Sequence, residues 1–167
     1  MEGLSRKEMK ITATLDFDKK YFFTSGDIDT FAKNKTERYN IIKHLLKKKR
    51  IIKLNKTKYY LIRLRSKFET WSESPIVAAD EMCNGKDYMI GGWAAANYWR
   101  LTEQIPMQID IYTTKRQGKM KLFNMRFVFH RTTTKRLQKE AVIEKIGEHT
   151  FLIQNKEVTK KWITSRR

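Results

Sequence analysis

Between residues 22 and 63, the spacing of apolar positions predicts two short helices followed by a β-hairpin. Thr24 can cap the first helix, and Asp27 lies three residues further on, where a capping box places its acid. Phe23 and Ile28 have the spacing of a hydrophobic staple across the same helix start. We therefore expect the first helix to begin at Thr24.

The second predicted helix begins after Asn34, its candidate cap, with Glu37 at the third helical position. A rotation of about 100° per residue divides the helix into two sides. One side holds Arg38, Ile41, Ile42, Leu45, Leu46 and Lys49. The other side, or its border, holds Thr36, Tyr39, Asn40, Lys43 and Lys47.

After Arg50 the pattern becomes that of strands: Ile51–Leu54, a polar turn at Asn55–Lys58, and Tyr59–Arg63. Two helices and a hairpin in this order are typical of a winged helix-turn-helix, in which the hairpin is the wing. The first twenty residues fit either a helix, over Leu4–Lys10, or a strand, over Met9–Phe17. We expect one of these to close the winged fold.

The second half of the chain mixes helix and strand patterns, and it predicts a small α+β domain with a mainly antiparallel sheet. Ser66–Pro75 interrupts both periodicities, so we expect a winged helix-turn-helix domain over 1–65, a linker over 66–74 and the α+β domain over 75–167. The predicted helices are Pro75–Met82 and Trp93–Trp99, and the predicted strands are Tyr88–Ile90, Met107–Tyr112 and Lys121–His130. Further short segments are predicted at Ala141–Ile143, Thr150–Ile153 and Val158–Ile163.

Net charge is concentrated in the first domain. The chain has 36 Lys and Arg against 18 Asp and Glu, a net charge of +18, and residues 1–65 alone hold 18 basic and 7 acidic residues. A polyanion is the natural partner of such a distribution, and its binding should depend strongly on salt. Abundant lysine, isoleucine and asparagine also fit an AT-rich genome, so charge alone does not settle the partner.

The side of the second helix that faces away from the apolar stripe mixes phosphate-binding side chains with Asn40, which can pair bidentately with an adenine edge. A solvated helix face is the alternative. We expect double-stranded DNA to contact the second helix, the start of the first helix and the hairpin tip. The predicted contacts are Thr24, Ser25, Lys35, Thr36, Tyr39, Asn40, Lys43, Lys47, Lys56 and Lys58.

A basic segment in the second domain offers another contact, through Lys115, Arg116 and Lys119 around Gly118. The alternative is a solvated hairpin tip, and the sequence favours neither. Gly91–Gly92, between a strand and a helix, can cradle a phosphate, but close backbone packing is the favoured interpretation because the third glycine and the P-loop lysine are missing.

An enzyme acting on nucleic acid is the main alternative function. Asp110 with Lys115 has a faint likeness to a nuclease metal site, but the second acid expected just before the lysine is absent. His44, His130 and His149 show no metal-ligand spacing, and no activated nucleophile is evident. The acidic and basic candidates are Asp80, Glu81, Asp87, Glu103, Asp110, Lys115, His130 and His149. We expect no catalytic residue, no cofactor and no metal.

RNA binding is a further alternative, although neither an aromatic strand pair of the kind found in RNA-recognition motifs nor a GXXG loop is present. The longest apolar or glycine run, Met89–Ala96, is far too short to span a membrane. A lone Cys83 and the absence of an N-terminal apolar segment predict a reducing, cytoplasmic location, with Cys83 as a buried core thiol.

The run Gly91-Gly92-Trp93-Ala94-Ala95-Ala96-Asn97-Tyr98-Trp99-Arg100-Leu101-Thr102-Glu103-Gln104-Ile105-Pro106, followed by a strand and a basic loop, resembles the core signature of AbiEi-family antitoxins. Its position behind a predicted N-terminal winged helix is similar to that family's two-domain layout. The resemblance extends from about Tyr21 to Arg131.

This resemblance implies an autoregulating transcriptional regulator of a type IV toxin–antitoxin system. In such a protein, the N-terminal domain binds repeats in its own promoter, and the C-terminal domain helps to neutralise a nucleotidyltransferase-like toxin, without requiring a stable complex. A stand-alone repressor is compatible with the same residues.

Overall fold

The computed structural model describes residues 3–63, 74–122 and 124–166. The chain divides into two compact units, Met1–Lys67 and Phe68–Arg167, here called unit 1 and unit 2. The predicted linker over 66–74 lies outside the described residues, except for Ser74. The predicted α+β class is confirmed, since both units combine helices with sheets.

Unit 1 packs two helices and a helical turn against a small sheet. Its three strands are antiparallel in the order β1-β3-β2. The elements are α1 (Arg6–Phe17), β1 (Phe22–Thr24), a 3-10 helix (Ser25–Phe31), α2 (Lys35–Lys47), β2 (Ile51–Lys53) and β3 (Lys58–Leu61). The core consists of Ile11, Leu15, Phe23, Ile28, Ile41, Ile42, Leu45, Ile51, Tyr59 and Leu61.

The first twenty residues contain a helix longer than the Leu4–Lys10 segment, and the strand alternative is wrong. Ser5 and Glu8 form a capping box, in which the Ser5 amide donates to the Glu8 carboxylate at 2.6 Å. Ile11 and Leu15, four residues apart, face the core. Met9, Ala13 and Phe17 form an exposed line on the other side, so both faces are apolar and together they imitate a strand alternation.

Unit 2 is built on a mixed sheet of six strands in the order β6-β7-β5-β4-β9-β8. Three of its five pairings are antiparallel, while β5 pairs with β7, and β4 with β9, in parallel. The elements are α3 (Pro75–Cys83), β4 (Tyr88–Gly91), α4 (Gly92–Tyr98), β5 (Gln108–Thr113), β6 (Gly118–Leu122), β7 (Met125–Arg131), α5 (Thr134–Glu140), β8 (Ala141–Ile146), β9 (His149–Gln154) and α6 (Lys156–Thr164).

The predicted strand Lys121–His130 is wrong, because the chain reverses inside it. β6 ends at Leu122, Asn124 lies in the turn, and β7 begins at Met125, so that Lys121 pairs across the hairpin with Arg126. β7 also lies between β6 and β5, so the basic segment over residues 114–119 is not the tip of a hairpin between two paired strands. The other predicted helices and strands of unit 2 are confirmed, with shifts at their ends.

Gly91 and Gly92 are required by close packing in the middle of the sheet. A Cβ on Gly91 would lie 2.6 Å from the ring of Tyr112, and one on Gly92, whose φ is +61°, would lie 2.7 Å from a carboxylate oxygen of Asp110. Only glycine suits both the space and the left-handed backbone at position 92. Since a carboxylate lies against Gly92, the geometry favours close packing over a phosphate cradle.

In the described ranges, no helix combines the length and the apolar composition needed to cross a bilayer.

Candidate nucleic-acid interface

The second helix of unit 1 is anchored at its start by side chains from three segments. Asn34 accepts a hydrogen bond from the Glu37 amide at 2.8 Å, as predicted for the cap. The Glu37 carboxylate accepts from the Lys33 amide at 2.7 Å and forms an ion pair with Lys7 of α1. Arg38 pairs with Asp29 in the preceding 3-10 helix. These contacts, with the buried Ile41, Ile42 and Leu45, set the rotation of α2 about its axis.

The outward face of α2 consists of the six predicted residues Lys35, Thr36, Tyr39, Asn40, Lys43 and Lys47, and all six are exposed. Tyr39 has 66% of its surface exposed, which is unusual for a large aromatic side chain. None of the six is acidic, and the two acids Asp29 and Glu37 form ion pairs with Arg38 and Lys7. The face therefore combines positive charge with uncharged hydrogen-bonding groups.

A groove of about 440 Å³ runs beside this face. The groove is lined by four of the predicted contacts and by two cations that are not among them, Arg38 and Lys53. The helical projection places Arg38 on the inward side of the helix, and the sequence pattern identifies Lys53 only as a strand residue. Its lining is Ser25, Lys35, Arg38, Tyr39, Ile42, Lys43, Leu46, Lys53 and Tyr59.

Thr24 takes part in the cap at the start of the 3-10 helix. Its amide donates to the Asp27 carboxylate at 2.6 Å and its hydroxyl donates to the same oxygen at 2.9 Å. Burial opposes ionisation of Asp27, but hydrogen bonds from Lys20 and Thr24 outweigh it and hold the pKa of Asp27 below its ordinary value. The predicted capping box is therefore present, and the Thr24 hydroxyl already has a partner.

The tip of the β2–β3 hairpin is held by one asparagine. The Asn55 side-chain oxygen accepts from the amides of Thr57 and Lys58, both at 2.9 Å. This turn leaves Lys56 exposed at the tip, whereas Lys58 is half-buried at the first position of β3. The turn therefore presents Lys56 on a backbone of fixed shape.

The basic segment of unit 2 does not form one patch. Lys115 pairs with Asp87 at 2.9 Å, and the guanidinium of Arg116 lies 3.4 Å from the ring centre of Phe129. Lys119 is exposed on the edge strand β6. The sequence missed Lys121 and Arg126, which face each other across the β6–β7 hairpin and line a depression of about 360 Å³.

The acidic and histidine residues considered for catalysis form separate pairs. His130 lies 2.7 Å from Asp110, which also accepts from the Gln108 amide group at 2.9 Å. His149 lies 2.9 Å from Asp80. Neither pair was predicted, because the partners are distant in sequence: Asp110 and His130 lie on the neighbouring strands β5 and β7, and Asp80 on α3 meets His149 on β9 only in the folded unit.

Three of these side chains are close enough to share a metal ion. The ligand atoms of Asp80, Glu81 and His149 lie within 4.8 Å of one another. Asp80 is buried, and its two oxygens are already engaged, one by the Tyr88 hydroxyl and the other by His149. Tyr88 in turn accepts from the Leu152 amide at 2.9 Å. The cluster thus joins α3 to β4 and β9 through a satisfied hydrogen-bond network.

Cys83 is buried at the end of α3, as predicted. Burial raises the pKa of its thiol to about 12, with Asp80 adding to the rise and Arg116 and Lys115 opposing it. A thiol with this pKa is protonated at neutral pH and is a poor nucleophile.

Comparison of the chain with models of known protein families gives no match, and comparison with characterised proteins gives none either.

Proposed function

We propose that unit 1 is a winged helix-turn-helix and that the chain is a sequence-specific transcriptional regulator that binds double-stranded DNA in the cytoplasm. The observation that carries this proposal is the outward face of α2, which is exposed, free of acids and rich in hydrogen-bonding groups. A helix of this kind fits the major groove, where phosphates attract its cations and base edges face its polar side chains.

In the proposed complex, Asn40 is the residue that reads sequence. It lies at the middle of α2, between the exposed Tyr39 and Lys43, and its amide can pair with an adenine edge. Lys35, Lys43 and Lys47 meet phosphates along the groove. Lys56, at the tip of the fixed hairpin turn, meets a phosphate on the neighbouring turn of the duplex.

The resemblance of Gly91–Pro106 to the AbiEi signature supports a more specific proposal, in which the chain is an autoregulating antitoxin. That signature here forms the end of β4, the whole of α4 and the segment leading to β5, the part of unit 2 where Gly91 and Gly92 permit close packing. The partner would be a nucleotidyltransferase-like toxin, whose neutralisation does not require a stable complex.

The test is fluorescence anisotropy with duplex DNA from the region upstream of the coding sequence and with a shuffled duplex of equal composition. We expect tighter binding to the upstream duplex, and Asn40→Ala should reduce the preference by about 1–3 kcal/mol. Asn124→Ala is the matched control, because it makes the same change at an exposed turn of unit 2.

Three results would contradict the proposal. Equal binding of both duplexes by the wild-type protein would show that it binds DNA through its positive charge alone, without sequence preference. Preference retained in full by Asn40→Ala would show that α2 does not read the bases as proposed. A structured RNA that competes better than the upstream duplex would move the function to RNA.

A further inference from the structure

Asp80, Glu81 and His149 form a cluster of metal-ligating side chains where the last turn of α3 meets the start of β9. One ligand atom from each residue lies within 4.8 Å of the other two. In a tetrahedral site with bonds of about 2.0–2.2 Å, ligand atoms are about 3.4 Å apart. Side-chain shifts of about 1 Å therefore suffice to bring the three ligand atoms onto one ion.

The elements that carry these ligands are fixed in place. α3 buries five other residues, Val77, Ala78, Ala79, Met82 and Cys83. His149 is the first residue of β9, which pairs with β4 on one side and with β8 on the other. Because the backbone positions of the ligands are set by the fold, an ion has only side chains to reorganise.

Tyr88 orients the buried carboxylate of Asp80. Its hydroxyl donates to one oxygen of Asp80 and accepts from the Leu152 amide at 2.9 Å. The other oxygen of Asp80 faces the His149 ring nitrogen at 2.9 Å. Carboxylates that bind metals are commonly held by a hydrogen bond of this kind on the oxygen that faces away from the ion.

The charge of Asp80 has no permanent counterpart nearby. Within the ranges that the structure describes, no lysine or arginine forms an ion pair with Asp80, and His149 is charged only when it is protonated. The side chain of Asp80 is only 10% exposed, and a carboxylate this buried is stabilised by a positive charge beside it. A divalent ion supplies that charge while His149 stays neutral.

Solvent reaches the cluster from two directions. The His149 side chain is 29% exposed and Glu81 is half-buried, so an ion can enter beside them. Asp80 also lines a depression of about 190 Å³, together with Gly85 and Thr150. Water therefore has access to complete the coordination of an ion that three protein ligands hold.

We propose that Asp80, Glu81 and His149 bind one divalent transition-metal ion, with Zn²⁺ as the ion that fits best, and that this ion joins α3 to β9. One imidazole nitrogen and two carboxylate oxygens suit Zn²⁺, whereas Mg²⁺ and Ca²⁺ prefer oxygen ligands alone. Because the ion replaces the hydrogen bond between His149 and Asp80, we expect a micromolar dissociation constant. The inference does not depend on DNA binding.

Isothermal titration calorimetry with ZnCl₂ tests the site in the full chain, after dialysis against a chelator and then against buffer without it. The wild-type protein should bind one ion. His149→Ala and Glu81→Gln should each weaken binding at least about tenfold, since each removes one of three ligands. Glu81→Gln nearly keeps the side-chain shape and leaves the Asp80–His149 hydrogen bond in place, so it tests the site even if His149→Ala unfolds.

His130→Ala is the matched control. His130 also pairs with an aspartate, Asp110, at 2.7 Å, but in the described part of the chain no third acid or histidine lies close enough to share an ion with that pair. His130→Ala should therefore bind Zn²⁺ as the wild type does. Circular dichroism of each variant verifies folding.

Urea unfolding followed by tryptophan fluorescence gives an independent readout, because all four tryptophans lie in unit 2. Zn²⁺ should raise the unfolding midpoint of the wild type increasingly with its concentration, and it should raise that of Glu81→Gln far less. Mg²⁺ should leave both midpoints unchanged. The proposal would be overturned by a wild-type protein that does not bind millimolar Zn²⁺, by equal Zn²⁺ affinity in the wild type and Glu81→Gln, or by equal binding of Mg²⁺.

Discussion

Glu8 is a buried acid that joins α1 to the end of α2. It is an acid with only 3% of its surface exposed, yet it serves as the N3 residue of the capping box and as the partner of Lys48. Burial opposes its ionisation, but hydrogen bonds from Lys48 and Ser5 outweigh burial and lower the pKa of Glu8. A buried carboxylate is tolerated here because both a cation, Lys48, and the Ser5 amide donate hydrogen bonds to it.

The lowered pKa of Glu8 predicts a pH dependence of unit 1. The stabilisation is fully present above the ordinary value of 4.5 and is lost as the pH falls through the lower, folded value. Glu8→Gln should be less stable than the wild type by about 1–3 kcal/mol at pH 7, because it leaves Lys48 without its carboxylate. The difference should shrink as the pH falls below 4.5.

Amide hydrogen exchange in α1 measures this stability locally. Asp18→Asn, at an exposed acid that follows the same helix, is the control and should leave the exchange unchanged. A Glu8→Gln deficit that stays constant from pH 7 to pH 3 would mean that the Glu8 charge is not the source of the stabilisation.

At the scale of the elements, the β4–α4 junction has no room for added side-chain atoms, because two successive glycines there lie against Tyr112 and Asp110 of β5. Gly92→Ala should destabilise unit 2 by about 2–4 kcal/mol, combining the left-handed backbone with a clash against Asp110. Gly147→Ala is a close control: its φ is +59° and no atom lies within 4 Å of the added Cβ. It should cost only the backbone term, about 1–2 kcal/mol.

Urea unfolding followed by tryptophan fluorescence measures both variants, because all four tryptophans of the chain lie within unit 2. Equal losses at Gly92 and Gly147 would show that the contact with Asp110 is not tight.

Most elements could be predicted from the sequence. The wrong or ambiguous predictions fall where the local residues do not identify the structure. Capping and turn residues within each segment indicate α2, α3 and the β2–β3 hairpin. Nothing local distinguishes a helix that is apolar on two sides from a strand, and so α1 was ambiguous through Met9–Phe17. The reversal at Asn124 carries a single turn residue, too weak a signal to divide Lys121–His130.

The candidate interface also contains residues that the sequence could predict and residues that it could not. Spacing along α2 predicted which side chains are exposed, since one helix fixes their directions. Lys53 was missed because it joins the groove only when β2 packs beside α2, and the Asp110–His130 pair was missed because β5 and β7 become neighbours through a parallel crossover. Contacts between elements require the topology, which periodicity does not supply.

At the scale of the whole molecule, the two units differ in how their charge is distributed, and this predicts the salt dependence. If Lys35, Lys43, Lys47, Lys56 and Lys58 each neutralise one phosphate, a plot of log affinity against log salt should have a slope of about −4 to −5. Lys56→Gln should weaken all duplexes alike and flatten the slope by about one unit. Lys145→Gln, an exposed lysine of unit 2, is the control and should change neither quantity.

Anisotropy titrations at several salt concentrations give the slope directly. A slope that Lys56→Gln leaves unchanged would mean that the hairpin tip does not reach the DNA.

The strand order of unit 2 affects how the protein is made on the ribosome. β4, all four of whose residues are buried, pairs in parallel with β9, which follows it by nearly sixty residues. The last strand of unit 1 ends at Leu61. In contrast, one edge of β4 stays unpaired until β9, which ends at Gln154, has left the ribosome. During translation, a folded unit 1 is therefore followed by an incomplete sheet with an unpaired strand edge and exposed apolar side chains. That interval is when the nascent chain is most in need of a chaperone and most open to proteolysis.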